Sequence, residues 1–64
     1  MKMSIKEASE KMGISEMFLR LIIREEKLDK NIAFCIKHKD RYSYYINRKS
    51  FETYINMSDN FNSA

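Results

Sequence analysis

Residues 4 to 28 carry two short amphipathic runs separated by Gly13-Ile14-Ser15, and the place of that break constrains the fold more than any other feature. Gly13 is the only glycine and the chain has no proline, so the strongest punctuation signal in the sequence falls here. Ser4 followed by Ile5-Lys6-Glu7 is a Ser-x-x-Glu capping box, which predicts a helix starting at that point. Ile5, Ala8 and Met12 fall at i, i+3 and i+7 as an apolar stripe, while Lys6, Glu7, Glu10 and Lys11 lie outside it. Gly13 is suited to the left-handed conformation that ends such a helix, with Ile14 packing back over the turn. Ser15 then caps a second helix, and Glu16 in its first turn complements the helix dipole.

Two helices joined by a short Gly-containing turn have the shape of a helix-turn-helix, whose second helix enters a DNA major groove. In helix 2, Phe18, Leu19, Ile22 and Ile23 form the expected core face, with Leu21 at its margin. Glu16, Arg20, Arg24 and Lys27 recur at i, i+4, i+8 and i+11 as a polar stripe and candidate recognition surface. Arg suits such a surface because its planar fork takes guanine O6 and N7, or a phosphate, in two hydrogen bonds. The plainer alternative is that Glu16 and Arg20 form an ordinary surface pair and Arg24 is simply solvated.

After Leu28 the period changes from helical to alternating. Ile32, Phe34 and Ile36 alternate with Ala33, Cys35 and Lys37, and then Tyr42, Tyr44 and Ile46 alternate with Arg41, Ser43 and Tyr45. This predicts a β-hairpin with its tip over Lys37 to Arg41, where Lys37, Lys39 and Arg41 supply cations for a wing along a phosphate strand or in a minor groove. The tyrosines are read as sheet and core residues rather than base-stacking platforms. Asn47 caps an expected third helix that returns Phe51, Tyr54 and Ile55 to the core. Arg48 and Lys49 in its first turn oppose the dipole at a cost of about 0.3 to 1 kcal/mol each at most. A bound phosphate would reverse that cost, which makes both of them candidate DNA contacts.

At 64 residues the chain is one domain, taken as residues 1–57, with 58–64 expected to fray and Phe61 a candidate for docking on the core or a neighbouring subunit. That length leaves no room for a deep substrate cleft. Cys35 is the only cysteine, so no internal disulfide and no oxidising compartment are required. No apolar run, Leu21-Ile22-Ile23 included, is long enough to span a membrane and no signal peptide follows Met1-Lys2-Met3, so a cytoplasmic location is expected. The net charge is only +3, but residues 20 to 49 hold nine basic groups against four acids, while the flanks are net acidic. One basic side is what counterion release on DNA would require, although a solvated charged surface has the same composition.

The order helix, turn, helix, basic hairpin, helix supports a family comparison. Ser4-Ile5-Lys6-Glu7-Ala8, Gly13-Ile14-Ser15, Phe18-Leu19-Arg20 and Tyr44-Tyr45-Ile46-Asn47-Arg48-Lys49-Ser50-Phe51 resemble the small winged-helix proteins of phages and conjugative transposons. That group includes the excisionases, or recombination directionality factors, and its first half is similar to the DNA-binding domains of MerR-type regulators. Ala33 stands where many of them have Gly. The resemblance covers residues 3 to 57 and implies an α+β winged helix-turn-helix: two helices, a basic β-hairpin wing and a C-terminal helix. It implies that Ser15, Glu16, Met17, Arg20 and Arg24 face double-stranded DNA, with Lys37, Lys39 and Arg41 on the wing. It further implies binding and bending near an attachment site to direct an integrase, with neighbouring copies of the chain as partners. Small transcription regulators share the fold. The sequence stops before the coiled coil and effector domain of a MerR regulator, so sensing by that route is not expected.

Other functions draw less support from the residues. His38 has no Cys or His partner at metal-ligand spacing, and no Gly-rich phosphate loop is present. Tyr42, Tyr44 and Tyr45 lack a separate catalytic core to activate one as a nucleophile. No enzyme activity, metal, cofactor, small-molecule substrate or membrane partner is therefore expected. The serious competitor is a protein-binding module acting on a repressor, an integrase or a host protein through an apolar patch drawn from Met1, Met3, Met12 and Met17, although Met12 is better placed in the core.

Overall fold

The structure, a computed structural model, describes the backbone of residues 2–63 and the side chains of residues 2–57. Helix α1 spans Ile5–Met12, α2 Glu16–Arg24 and α3 Arg48–Ser63, with strands β1 (Ala33–His38) and β2 (Arg41–Ile46) between the second and third helices. This is an α+β domain of three helices and an antiparallel hairpin, an order compatible with a winged-helix layout. The expectations for the tail, its fraying and the docking of Phe61, lie outside the residues with described side chains.

The caps read from the sequence set the helix starts. Ser4 Oγ accepts from Glu7 N–H at 3.0 Å, Ser15 Oγ accepts from Phe18 N–H at 3.1 Å, and Asn47 Oδ1 accepts from Ser50 N–H at 2.9 Å. Each satisfies a donor that the first helical turn leaves unpaired. Helix α1 ends as expected: Gly13 takes φ +71°, and the N–H groups of Gly13 and Ile14 reach back to the carbonyls of Glu10 and Ser9. Those two bonds form a Schellman motif.

Helix α2 ends in the same way but without a glycine. Glu26 and Lys27 donate to the carbonyls of Ile23 and Ile22, and Glu26 holds φ +57°. The helix therefore stops at Arg24, and Lys27 lies beyond it rather than on the fourth step of the polar stripe. A glycine is the usual sequence mark of such an end, and here the chain supplies Glu at the left-handed position instead.

Every element contributes to one small core. Met3, Ala8, Leu19, Ile23, Leu28, Ala33, Ile46 and Phe51 are buried, with Leu19 and Phe51 the largest fully buried side chains. Met3 is thus a core residue and not part of an adaptable surface patch. Its N–H donates to the Ile46 carbonyl, and Lys2 bridges Asn47, so the N-terminal segment runs antiparallel beside the end of β2.

Two faces become specific only in the structure, one of them departing from expectation at Phe18. In α2 the buried residues are Leu19 and Ile23, whereas Phe18 is 50% and Leu21 38% exposed. Six of the nine residues of this helix are apolar, so the pattern identifies an amphipathic helix but leaves its rotation loosely specified. In β1 the alternation leaves the phase open, and the structure shows it: Ala33 is buried and Cys35 half-buried, while Phe34 and Ile36 are both 44% exposed. A shift of one residue turns every side chain of a strand over, and β1 is apolar on both faces up to Ile36, so alternation could not choose between them. The hairpin is also tighter than expected. His38 pairs with Arg41, which leaves Lys39-Asp40 as a two-residue loop and puts Lys37 and Arg41 within the strands.

The left-handed conformation costs a non-glycine residue roughly 1 to 2 kcal/mol, part of which glycine gives back through its greater unfolded-state entropy. The exposed Glu26 to Lys30 pair, at 3.6 Å, offsets little of that strain. Glu26→Gly is therefore expected to stabilise the domain by about 0.5 to 1 kcal/mol. A higher urea midpoint at unchanged slope would show this; a lower midpoint would mean that the Glu26 side chain contributes more than its backbone costs.

Candidate nucleic-acid interface

The rotation of α2 decides which side chains a partner meets. Leu19 and Ile23 turn inward, and with about 3.6 residues per turn the opposite ridge carries Met17 and Leu21 at i and i+4, with Arg20 and Arg24 on one flank. Met17 is 76% exposed, the highest value among the large exposed apolar side chains. Ser15 contributes its hydroxyl to the helix cap, and Glu16 accepts a hydrogen bond from Arg20 at 3.3 Å with both side chains well exposed. Such an exposed i,i+4 pair is worth a few tenths of a kcal/mol and yields readily to a stronger partner.

Arg24 joins the helix to the hairpin. Its guanidinium carbon lies 5.3 Å from the centre of the Tyr42 ring, within the range of a cation–π contact. Tyr42 is paired across the ladder with Lys37, so Lys37 projects from the same sheet face. That face also carries the pairs Cys35–Tyr44 and Ala33–Ile46, which lead down to the core. Lys39, at the tip, holds φ +55°. Arg24 and Lys37 therefore form a basic edge running from α2 towards the hairpin tip, where Lys39 sits in the loop. Arg41 does not share the face of Lys37. It pairs with His38 on the opposite face, with Ile36–Ser43 and Phe34–Tyr45.

The tyrosines divide between these faces. Tyr44 packs against the core, and its ring centre is 6.2 Å from that of Tyr42. Tyr45 stacks on Phe34 at 5.2 Å with Lys2 Nζ 4.3 Å above it. The place of Tyr42 beneath Arg24 has no local signal in the sequence, because it depends on the register of the hairpin and on where that hairpin lies against the helix end.

The first cation of α3, Arg48, is neutralised within the protein. Arg48 donates from Nη1 to Glu7 Oε2 at 2.8 Å and from Nη2 to Glu7 Oε1 at 2.9 Å, a partly buried fork that ties α3 to α1. Glu52 adds a longer contact at 3.9 Å, while Arg48 Nε is buried without a hydrogen-bond partner. The cation that in the sequence invites a phosphate already has a carboxylate, and Glu7 serves this fork rather than acting as a simple capping-box residue. Lys49 remains exposed and lines a groove of about 410 Å³ with Asp29, Ile32 and Tyr54, apart from the basic edge of α2 and the hairpin.

Among the described residues, no helix is long and apolar enough to cross a membrane and no group of three His, Cys, Asp or Glu side chains is placed to hold a metal ion. Comparison of the chain with models of known protein families, with curated proteins and with solved structures yields no match.

The fork gives the fold a specific acid sensitivity. Hydrogen bonds from Arg48 hold the Glu7 carboxyl below its usual range against a partial desolvation that works the other way, and the charges of Arg48 and Lys11 add to the lowering. Arg48 is correspondingly raised, chiefly by the same hydrogen bonds, and stays charged throughout the acid range. A lowered folded-state value means that the contribution is present above the unfolded carboxylate value and is lost as pH falls through the folded one. Glu7→Gln is therefore expected to unfold more easily than the parent at neutral pH, with the two melting curves converging below the ordinary carboxylate range. A gap between them that stayed constant with pH would mean that the Glu7 charge plays no part.

Proposed function

We propose that the chain is a sequence-specific double-stranded DNA-binding protein of the winged helix-turn-helix type, with α2 in the major groove and the β1–β2 hairpin as the wing along the adjacent backbone. The contact of Arg24 with Tyr42 is the observation that carries this reading, because it makes the exposed ridge of α2 and the basic hairpin edge one continuous surface. Cations along such an edge favour phosphate binding by releasing counterions, while the helix ridge is free to meet base edges. The two-residue loop keeps Lys39 at a fixed place relative to α2 despite its unfavourable φ. That positive φ is what a two-residue hairpin loop requires of its first residue, so the turn itself holds the tip.

The resemblance of residues 3 to 57 to excisionases extends the proposal to an architectural role. The chain would bind and bend DNA near an attachment site, acting beside integrase and further copies of itself and performing no chemistry of its own. Bending costs roughly 1 to 6 kcal/mol per site, which phosphate contacts from the wing and contacts between neighbouring copies would offset. A transcription regulator with the same fold would use the same surface. The protein-binding alternative rests on the exposed Met17, Phe18 and Leu21, an apolar group that a partner protein could also cover.

Salt titration separates these classes. Binding to duplex DNA should weaken steeply with salt, and each phosphate contact removed should reduce the log–log slope by about 0.9. Arg24→Ala, Lys37→Ala and Lys39→Ala are expected to reduce it; Lys49→Ala should do so least. No binding to any duplex at low salt, or a slope indifferent to all four substitutions, would contradict the proposal. Running the titration on duplexes from an element's attachment end and from upstream of the chain's own gene distinguishes excision from regulation by which is bound more tightly.

A further inference from the structure

The cations of α2 do not lie on its outermost ridge. With Leu19 and Ile23 buried, the side chains pointing directly away from the core are Met17 and Leu21, 76% and 38% exposed, one helical turn apart. Arg20 lies to the side and is held by Glu16, and Arg24 leans onto Tyr42. A helix entering a groove in this orientation brings two apolar side chains to the base edges and leaves the arginines nearer one groove wall. The major groove offers one apolar feature on a standard base, the C5-methyl group of thymine.

We infer that Met17 and Leu21 are the residues that set sequence preference, and that they do so by packing against thymine methyl groups. This rests on the DNA-binding proposal above. The positive charge of Arg20, Arg24 and Lys37 lies along one flank of this ridge and matches the phosphates of one groove wall, which favours DNA over an apolar protein surface as the occupant. Met suits this contact because its unbranched side chain adapts to the shape of neighbouring methyl groups. The target should therefore contain at least one thymine under the N-terminal half of α2, and guanine contacts should matter less than an arginine-bearing helix suggests.

Replacing thymine by uracil removes the methyl group and leaves the hydrogen-bonding edge intact. The probe is a duplex selected by the full-length protein from a random pool at low salt, then synthesised with single dT→dU replacements. Each contacted thymine should cost about four-fold in affinity when its methyl group is removed, the worth of one buried methyl-sized group. Met17→Ala and Leu21→Ala should bind the original duplex more weakly and lose sensitivity to the replacement. Met17 is so exposed that its substitution should leave the melting temperature unchanged, and an unchanged melt checks that the fold is intact. Equal affinity for the thymine and uracil duplexes would overturn the inference while leaving the DNA-binding proposal standing, as would uracil sensitivity that persists in both variants and so reflects DNA shape. Failure to select any duplex would overturn both, and binding of a protein through Met17 and Leu21 would then take their place.

Discussion

The burial of Leu19 and Ile23 fixes the rotation of α2, and most of what the molecule presents to a partner follows from that. Leu19 is fully buried in a core that also takes in Ala8 from α1, Ala33 and Ile46 from the hairpin, and Phe51 from α3. A domain of this size has few such side chains, so each one holds several elements in place. Turning α2 by a single residue's angle would bury Arg20 or expose Ile23, either of which costs far more than a marginal fold can absorb. The outward position of Met17, Leu21 and Arg24 is thus a consequence of packing at the opposite side of the helix.

The chain holds its remaining geometry by local means. Its only glycine ends α1, and among the described residues the other left-handed positions fall to Glu26 and Lys39. At Glu26 two backbone hydrogen bonds compensate the strain, and the result is an abrupt end to α2 just after Arg24. At Lys39 the tight loop keeps a cation at the tip of a hairpin whose near face Arg24 covers. The fork between Glu7 and Arg48 joins the first and last helices across 41 positions of sequence. It gives Arg48 a place in the fold and leaves the basic edge to α2 and the hairpin.

Elements whose signal is local were legible in the sequence. Ser4, Ser15 and Asn47 marked three helix starts, Gly13 marked the end of α1, and the change of period after Leu28 announced the hairpin. What could not be read depended on contacts distant in sequence. Phe18 is expected on the core face because α2 is apolar around most of its circumference, and the inward phase of β1 is left open because that strand has no polar face until Lys37. Met3 gains its place in the core only through the carbonyl of Ile46, and the partner of Arg48 lies in another helix. Of the candidate site, Met17, Arg20, Arg24, Lys37 and Lys39 fall on one connected surface, whereas Lys27 leaves the helix, Arg41 turns to the opposite sheet face, and Arg48 is engaged by Glu7.

In the proposed binding mode, the ridge of α2 and the near edge of the hairpin together meet a DNA duplex. Titrating the isotope-labelled protein with a duplex at low salt and following its backbone amide resonances tests this residue by residue. Docking through this surface predicts shifts concentrated at residues 15 to 24 and 37 to 41, with Thr53 and Asn56 of α3 unaffected. Shifts centred on Phe34 and Tyr45, or on α3, with α2 unmoved would contradict it.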